Sequence, residues 1–216
     1  MSISETLQTL NAKALAAAKG RPVRLMAVSK NVEASRITEA LAAGQTLFGE
    51  NYVQEAKSKW AGLKATYPAA LVHLIGPLQT NKAADAVALF DRIDSLDRPK
   101  LAHALADAMK KQGIQRPVLI EVNIGAEPQK HGCLPDDFSG LLGLARELGL
   151  EVQGVMAIPP VDKNPDGYFR DLARLSIVNN LPEISMGMSA DFEAAIANGS
   201  TLVRVGTALF GPRHKA

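Results

Sequence analysis

A large excess of charge of either sign is missing from this chain. Lys and Arg number 24 against 22 Asp and Glu, a formal net charge of +2 over 216 residues, too small to draw nucleic acid or a membrane surface electrostatically. Cysteine is nearly absent as well: Cys133 stands alone, which excludes an intrachain disulfide and a cysteine-based zinc site and points to a reducing compartment. The four histidines, His73, His103, His131 and His214, are scattered without ligand spacing, so no metal is expected. Aromatic residues make up only 5%, leaving an aliphatic core. The N-terminal stretch SISETLQTLNAKALAAAKG carries Glu5 and Lys13 and lacks a sustained apolar run, so it reads as neither signal peptide nor membrane span. Ser2 and Glu5 instead spell a capping box opening a helix that stops at Gly20. A cytoplasmic protein is the resulting expectation.

What is present is an even alternation. Apolar runs of strand length recur as VRLMAVS, TLFGE, LVHLIG, RIDSL, PVLIEVNI, VQGVMAI, EISMGMS and LVRVGTALF, with helical periodicity between them. Val53, Ala56, Trp60 and Leu63 keep one face; Leu101, Leu105, Ala108 and Met109 follow Asp97 as a possible N-cap; Phe138, Leu141, Leu142, Ala145 and Leu148 form another stripe. Eight such strands and the segments joining them predict a single α/β domain over 1–216, a (β/α)8 TIM barrel with an extra N-terminal helix. A doubly wound open sheet is the competitor, but no GxGxxG follows the first strand and no linker divides the chain. Regularity is weakest at IPPVDKNPDGY, read as a loop, and YFRDLARLSIVNN, read as a short helix.

In such a barrel the loops after the strands form the active face. Lys30 follows the first strand, Glu50 and Asn51 the second, Gln79, Thr80 and Asn81 the third, and Asn123, Lys130 and His131 the fifth. SMGMSADF and RVGTALFG stand at the seventh and eighth strands, the habitual phosphate cradle of this fold. They offer Ser189, a helix start whose free N–H groups could face an anion, Gly206 and Thr207. Ser189 also reads as an ordinary N-cap, Gly206 as a tight turn, and Lys30, Lys82 and Lys130 as solvated charges. Arg204 interrupts the apolar LVRVGT; it either pairs with a carboxylate such as Glu121 or points inward at a ring or anion. An amine, a phosphate cradle and a cation between them match the needs of pyridoxal 5'-phosphate: an amine for its aldehyde, amides for its phosphate, a partner for its ring nitrogen.

AVSK, FGENYVQE, HLIGPLQTNK, VNIGAEPQKHG, GVMAIPP, SMGMSADFEAAI and VRVGTALFG occur in the order expected of the YggS/PROSC family, the pyridoxal phosphate homeostasis proteins, which the chain resembles from about Arg24 to Gly211. That family is similar to the N-terminal barrel of alanine racemase and the fold type III decarboxylases. The segment around VDKNPDGY looks shorter than is common in the family, and Gly125 with Ala126 replaces a more usual polar pair. The resemblance implies a covalent aldimine on Lys30, Asn51 lining the cofactor ring, Arg204 near the pyridine nitrogen, and Ser189, Gly206 and Thr207 on the phosphate. An arginine there disfavours ring protonation and weakens the ring as an electron sink. With the chain ending at Ala216, no second domain is expected to supply an opposite acid or base. The expectation is therefore a monomeric carrier or regulator that stores, buffers or delivers the cofactor, with apo-forms of pyridoxal phosphate enzymes as recipients. A pyridoxal-dependent amino acid racemase is the alternative, and a Schiff-base aldolase using Lys30 on a phosphorylated sugar is the third reading.

Overall fold

The computed structural model describes residues 1–161 and 163–212; the expectation for His214 lies outside them. Eight parallel strands close into a barrel in sequence order: β1 (Arg24–Val28), β2 (Leu47–Glu50), β3 (Leu71–Leu74), β4 (Arg92–Leu96), β5 (Val118–Glu121), β6 (Val152–Met156), β7 (Glu183–Ser185) and β8 (Leu202–Val205). The seam is closed by β1 on β8, from Arg24 opposite Leu202 to Ala27 opposite Val205. Around it run α1 (Ile3–Ala18), α2 (Ala34–Ala42), α3 (Val53–Thr66), α4 (Ala83–Leu89), α5 (Pro99–Gln112), α6 (Phe138–Glu147), α7 (Asp166–Val178), α8 (Phe192–Ala197) and the short α9 (Thr207–Phe210).

The alternation of strand residues sorts two interiors. Leu25, Ala27, Phe48, Val72, Ile93, Ile120, Val155 and Val203 join the large aliphatic core between sheet and helices. Met26, Leu47 and Leu202, with Ile75 against them, form a separate cluster inside the barrel. Strand residues two apart share a face, so Arg24, His73, Arg92, Asp94 and Glu183 also point into the barrel. Asp94 Oδ1 lies 2.7 Å from Arg92 Nε, Glu183 Oε2 lies 3.1 Å from Arg92 Nη1 and 2.6 Å from Arg24 Nη2, and His73 Nδ1 lies 3.6 Å from Asp94 Oδ2. Burial alone would raise the Asp94 carboxyl, but His73 and Arg92 overcome it and hold Asp94 well below the usual carboxylate range.

Local signals held at the first helix. Ser2 Oγ accepts from Glu5 N at 3.2 Å and Glu5 Oε2 from Ser2 N at 2.8 Å, completing the capping box; the helix ends at Ala18, two residues before Gly20. Two boundaries differ from expectation. Asp97 is not the N-cap of α5: Arg98 is, because Pro99 supplies the first helical position with its preset φ and missing N–H. The short helix expected at YFRDLARLSIVNN begins earlier, at Asp166, and runs 13 residues. No helix among the described residues is long and apolar enough to cross a membrane.

Candidate functional site

At the C-terminal rim a cavity of about 310 Å³ is lined by Lys30, Asn51, Ser189, Arg204, Gly206 and Thr207, with Val28, Ile75, Ile158, Met188 and Ala190 as its apolar walls. All six residues expected to form a site thus meet in one place, although they come from the ends of β1, β2, β7 and β8. Small-molecule sites typically span about 300–1,000 Å³ with few polar groups set in apolar walls, and this cavity falls at the compact end.

Each polar group has a distinct setting. Ser189 is not an N-cap, since Asp191 takes that place in α8. Its Oγ accepts instead from Gly206 N at 3.3 Å and Ala208 N at 3.2 Å, so two amides of the eighth loop converge on one spot. At the start of α8, Asp191 N and Phe192 N both donate to Met188 O, and Met188 N donates to Asp191 Oδ1 at 2.6 Å. These three donors are therefore spent within their own loop. Ala208, which carries no side-chain signal and which only the backbone geometry could identify, joins Gly206 in donating to Ser189 Oγ. Gly206 has φ −118°, outside the left-handed region, and a Cβ there would meet Val28 only at ordinary contact distance, 3.5 Å.

Arg204 is buried and directs its hydrogen bonds to partners other than Glu121. Its Nη1 donates to Ser185 O and Ser185 Oγ, both at 2.7 Å, and its Nη2 to Ala157 O at 2.9 Å. Burial lowers its pKa, opposed by Asp94, Glu121 and Asp191. Five donors on a fixed plane let it face the cavity while remaining held from behind. Glu121 is left buried with Oε2 lacking a hydrogen-bond partner; burial first, then the Asp97 carboxylate, push its pKa up to about 7 against the pull of Arg204.

Asn51 owes its position to Gly76, where a Cβ would stand 2.4 Å from Asn51 O and 2.7 Å from Asn51 Cα. A wider cleft of about 780 Å³ adjoins at Asn51 and is lined also by Lys82, Asp97, Arg98 and His131. Lys130 is not a solvated charge: it pairs with Glu127, and its Nζ donates to Ile158 O at 3.3 Å and Pro159 O at 3.0 Å. Cys133 is buried, and burial pushes its thiol up to about 12, which leaves it unreactive. Among the described residues no cluster of His, Cys, Asp and Glu could hold a metal.

Comparison with known proteins now decides the family. The profile described as "Alanine racemase, N-terminal domain" matches residues 7–214. The pyridoxal phosphate homeostasis protein of Deinococcus radiodurans is 42% identical over 216 residues, covering 97% of this chain and 100% of its own length. Its counterpart in Pseudomonas aeruginosa is 41% identical over 197 residues, covering 88% and 85%. The chain belongs to the pyridoxal phosphate homeostasis family. Among solved structures of that family, PipY of Synechococcus elongatus with pyridoxal phosphate bound superposes with a TM-score of 0.84 at 36% identity, covering 97% of this chain and 100% of that one. Alanine racemase of Corynebacterium glutamicum, 21% identical with a TM-score of 0.73, shares the barrel fold over 61% of its own length. The homeostasis family thus uses a racemase-type barrel, and the six residues named from the sequence lie together on its rim.

Proposed function

We propose that this chain binds pyridoxal 5'-phosphate in the rim cavity and keeps it for storage or delivery rather than for turnover. One observation carries the reading: Ser189 Oγ gathers the amides of Gly206 and Ala208 on the same cavity that Lys30 and Arg204 line. A phosphate needs convergent N–H and O–H donors; the Ser189 and Thr207 hydroxyls would supply two of them, and the Gly206 and Ala208 amides, which donate to Ser189 Oγ, would join them by exchanging that oxygen for the phosphate's. When bound, the cofactor supplies an aldehyde that condenses with an amine. Lys30 would supply that amine, Asn51 and Ile75 would flank the ring, and Arg204 would face the ring nitrogen, since all four line the one cavity. A cation there keeps the ring nitrogen unprotonated, which favours holding over carbanion chemistry. The homeostasis relatives, and PipY with pyridoxal phosphate bound, support the same reading. We take the chain to act as a single-domain cytoplasmic monomer over 1–216, handing the cofactor to apo-forms of the enzymes that use it.

The test is a visible spectrum of the purified protein, followed by borohydride reduction and mass mapping. A coloured protein with a pyridoxyl mass on Lys30, and a colourless Lys30→Ala variant, are expected. A wild-type protein that takes up no cofactor overturns the binding. Exchange of the alpha proton of alanine or serine at the rate of a dedicated racemase overturns the carrier role.

A further inference from the structure

The two peptide groups flanking Lys30 are both gripped by one helix. Ser29, Lys30, Asn31 and Val32 form a β-turn closed by Val32 N donating to Ser29 O at 3.1 Å, and Asn31 has φ +55° at its third position. Turns of this geometry exist in forms that differ by rotation of the central peptide, here the one joining Lys30 to Asn31. Glu55 Oε1 accepts from Asn31 N at 2.5 Å and so fixes that peptide. Lys59 Nζ donates to Ser29 O at 2.7 Å and fixes the preceding one. Peptide planes are rigid, so holding both restricts the φ and ψ of Lys30 between them.

The clamp is itself anchored. Lys59 Nζ lies 2.8 Å from Glu55 Oε1 and 2.7 Å from Glu50 Oε1. Glu50 is fully buried and its Oε1 also accepts from Ser29 Oγ at 2.7 Å and from Trp60 Nε1 at 3.0 Å. A buried carboxylate fixed on β2 therefore seats the ammonium, and the ammonium orients the Glu55 carboxylate that reaches the turn. Such linked charge-assisted bonds are stronger than isolated neutral ones.

From this geometry we infer that Glu55 and Lys59 of α3 are positioning residues that lock the turn carrying Lys30, so that its amine is presented to the rim cavity in one orientation. The inference rests on the proposed cofactor site for its purpose, but not for its structural claim. Preorganisation of this kind spares a bound group the cost of ordering its partner.

Two measurements test it on the full chain, with Lys64→Met as control because Lys64 also lies on α3 and pairs with Asp91 at 2.7 Å, away from the turn. Amide hydrogen exchange in residues 30–32, measured without cofactor, is expected to quicken about tenfold or more in Glu55→Ala and Lys59→Met, and not in Lys64→Met, as loss of a local hydrogen bond lowers the opening free energy. Glu55→Gln, which keeps an acceptor oxygen, is expected to retain protection. Affinity for pyridoxal 5'-phosphate is expected to fall about tenfold in the same two variants and to hold in the control. Equal exchange in residues 30–32 across Glu55→Ala, Lys59→Met and Lys64→Met overturns the clamp. Faster exchange with unchanged affinity overturns its role in presenting the amine. Absence of cofactor binding by the wild type overturns the proposed function alone, since the exchange arm still decides the clamp. If Lys59→Met does not fold, the partly exposed Glu55→Ala carries the comparison.

Discussion

Ser189 shows how one hydroxyl can be read from its neighbours. In the chain it looks like a helix cap; in the fold it sits between two amides of another loop, 3.3 and 3.2 Å away. Removing it should therefore act on the phosphate and not on the aldehyde or ring. Ser189→Ala is expected to weaken pyridoxal 5'-phosphate binding about tenfold, the size of one charge-assisted hydrogen bond, and to leave binding of pyridoxal, which lacks the phosphate, unchanged; absorbance titration with the two ligands checks it. Glu121 yields a second expectation. Its carboxyl, raised to about 7 by burial and by Asp97, holds its proton in the folded chain over a range where the unfolded chain, at about 4.5, has lost it. The folded state then binds more protons than the unfolded, so stability falls as pH rises from about 4.5 to about 7 and stays low above. Glu121→Gln should flatten that fall, gaining up to about 3 kcal/mol over wild type at pH 8 and little at pH 4.5, as read by urea unfolding without cofactor. The polar residues past the strand ends were legible because the fold puts them on one face. Glu55 and Lys59 were not, because nothing in VQEAKSKW says which of its solvent-side charges turns back toward the first strand.

Elements were more legible than their ends. Eight apolar runs separated by helical stripes have few other ways to bury both faces of a parallel sheet, and each of the eight became a strand. Boundaries failed where a local competitor won: Pro99 set the start of α5, and Asp97 turned instead to pair with Arg98. Glycine placement was half legible. Gly140 lies in α6 with nothing near the position of a Cβ, whereas Gly76 leaves only 2.4 Å to the backbone oxygen of Asn51. The two should respond in opposite directions. Gly140→Ala is expected to stabilise by about 0.5–1 kcal/mol through helix propensity and unfolded-state entropy. Gly76→Ala must push the β2 and β3 ends apart, costing about 1–3 kcal/mol and shifting Asn51 at the lip of the cavity. Thermal unfolding of the pair, with cofactor titration of whichever remains folded, decides between them; equal effects would mean that the close approach at Gly76 is not needed.

Across the whole molecule the barrel divides into two ends with different tasks. The rim keeps polar groups half-open to a cavity, while the N-terminal ends of β1, β4 and β7 bring Arg24, Arg92 and Glu183 together, with His73 beside Arg92 in register and Asp94 two residues further along β4. RIDSL carried the signal for this network, since Arg92 and Asp94 are two apart on one strand and must share a face. It was not read, because only the closed barrel turns that face toward Glu183, some ninety residues on. The network is a fixed charge balance, buried at Asp94, Arg92 and His73 and open to solvent at Arg24, and its buried part is costly to break from one side. Removing Asp94 strands Arg92 with Glu183 as its remaining partner and leaves His73 facing no carboxylate at 3.6 Å. Asp94→Asn is therefore expected to cost about 3–5 kcal/mol at pH 7, the range for breaking a buried pair by one member. The pH dependence has a definite sign. Asp94 is held below its ordinary 3.8, so the folded chain resists protonation that the unfolded chain accepts. The contribution is complete above the unfolded value and is lost as pH falls through and below it. Wild type should lose stability steeply below about pH 4, and Asp94→Asn should lose less there, so the two urea midpoints converge in acid while standing far apart at pH 7. Midpoints that stay parallel from pH 7 to pH 3 would place the cost of the substitution in packing, and the ion network would then not be what holds the lower half of the barrel.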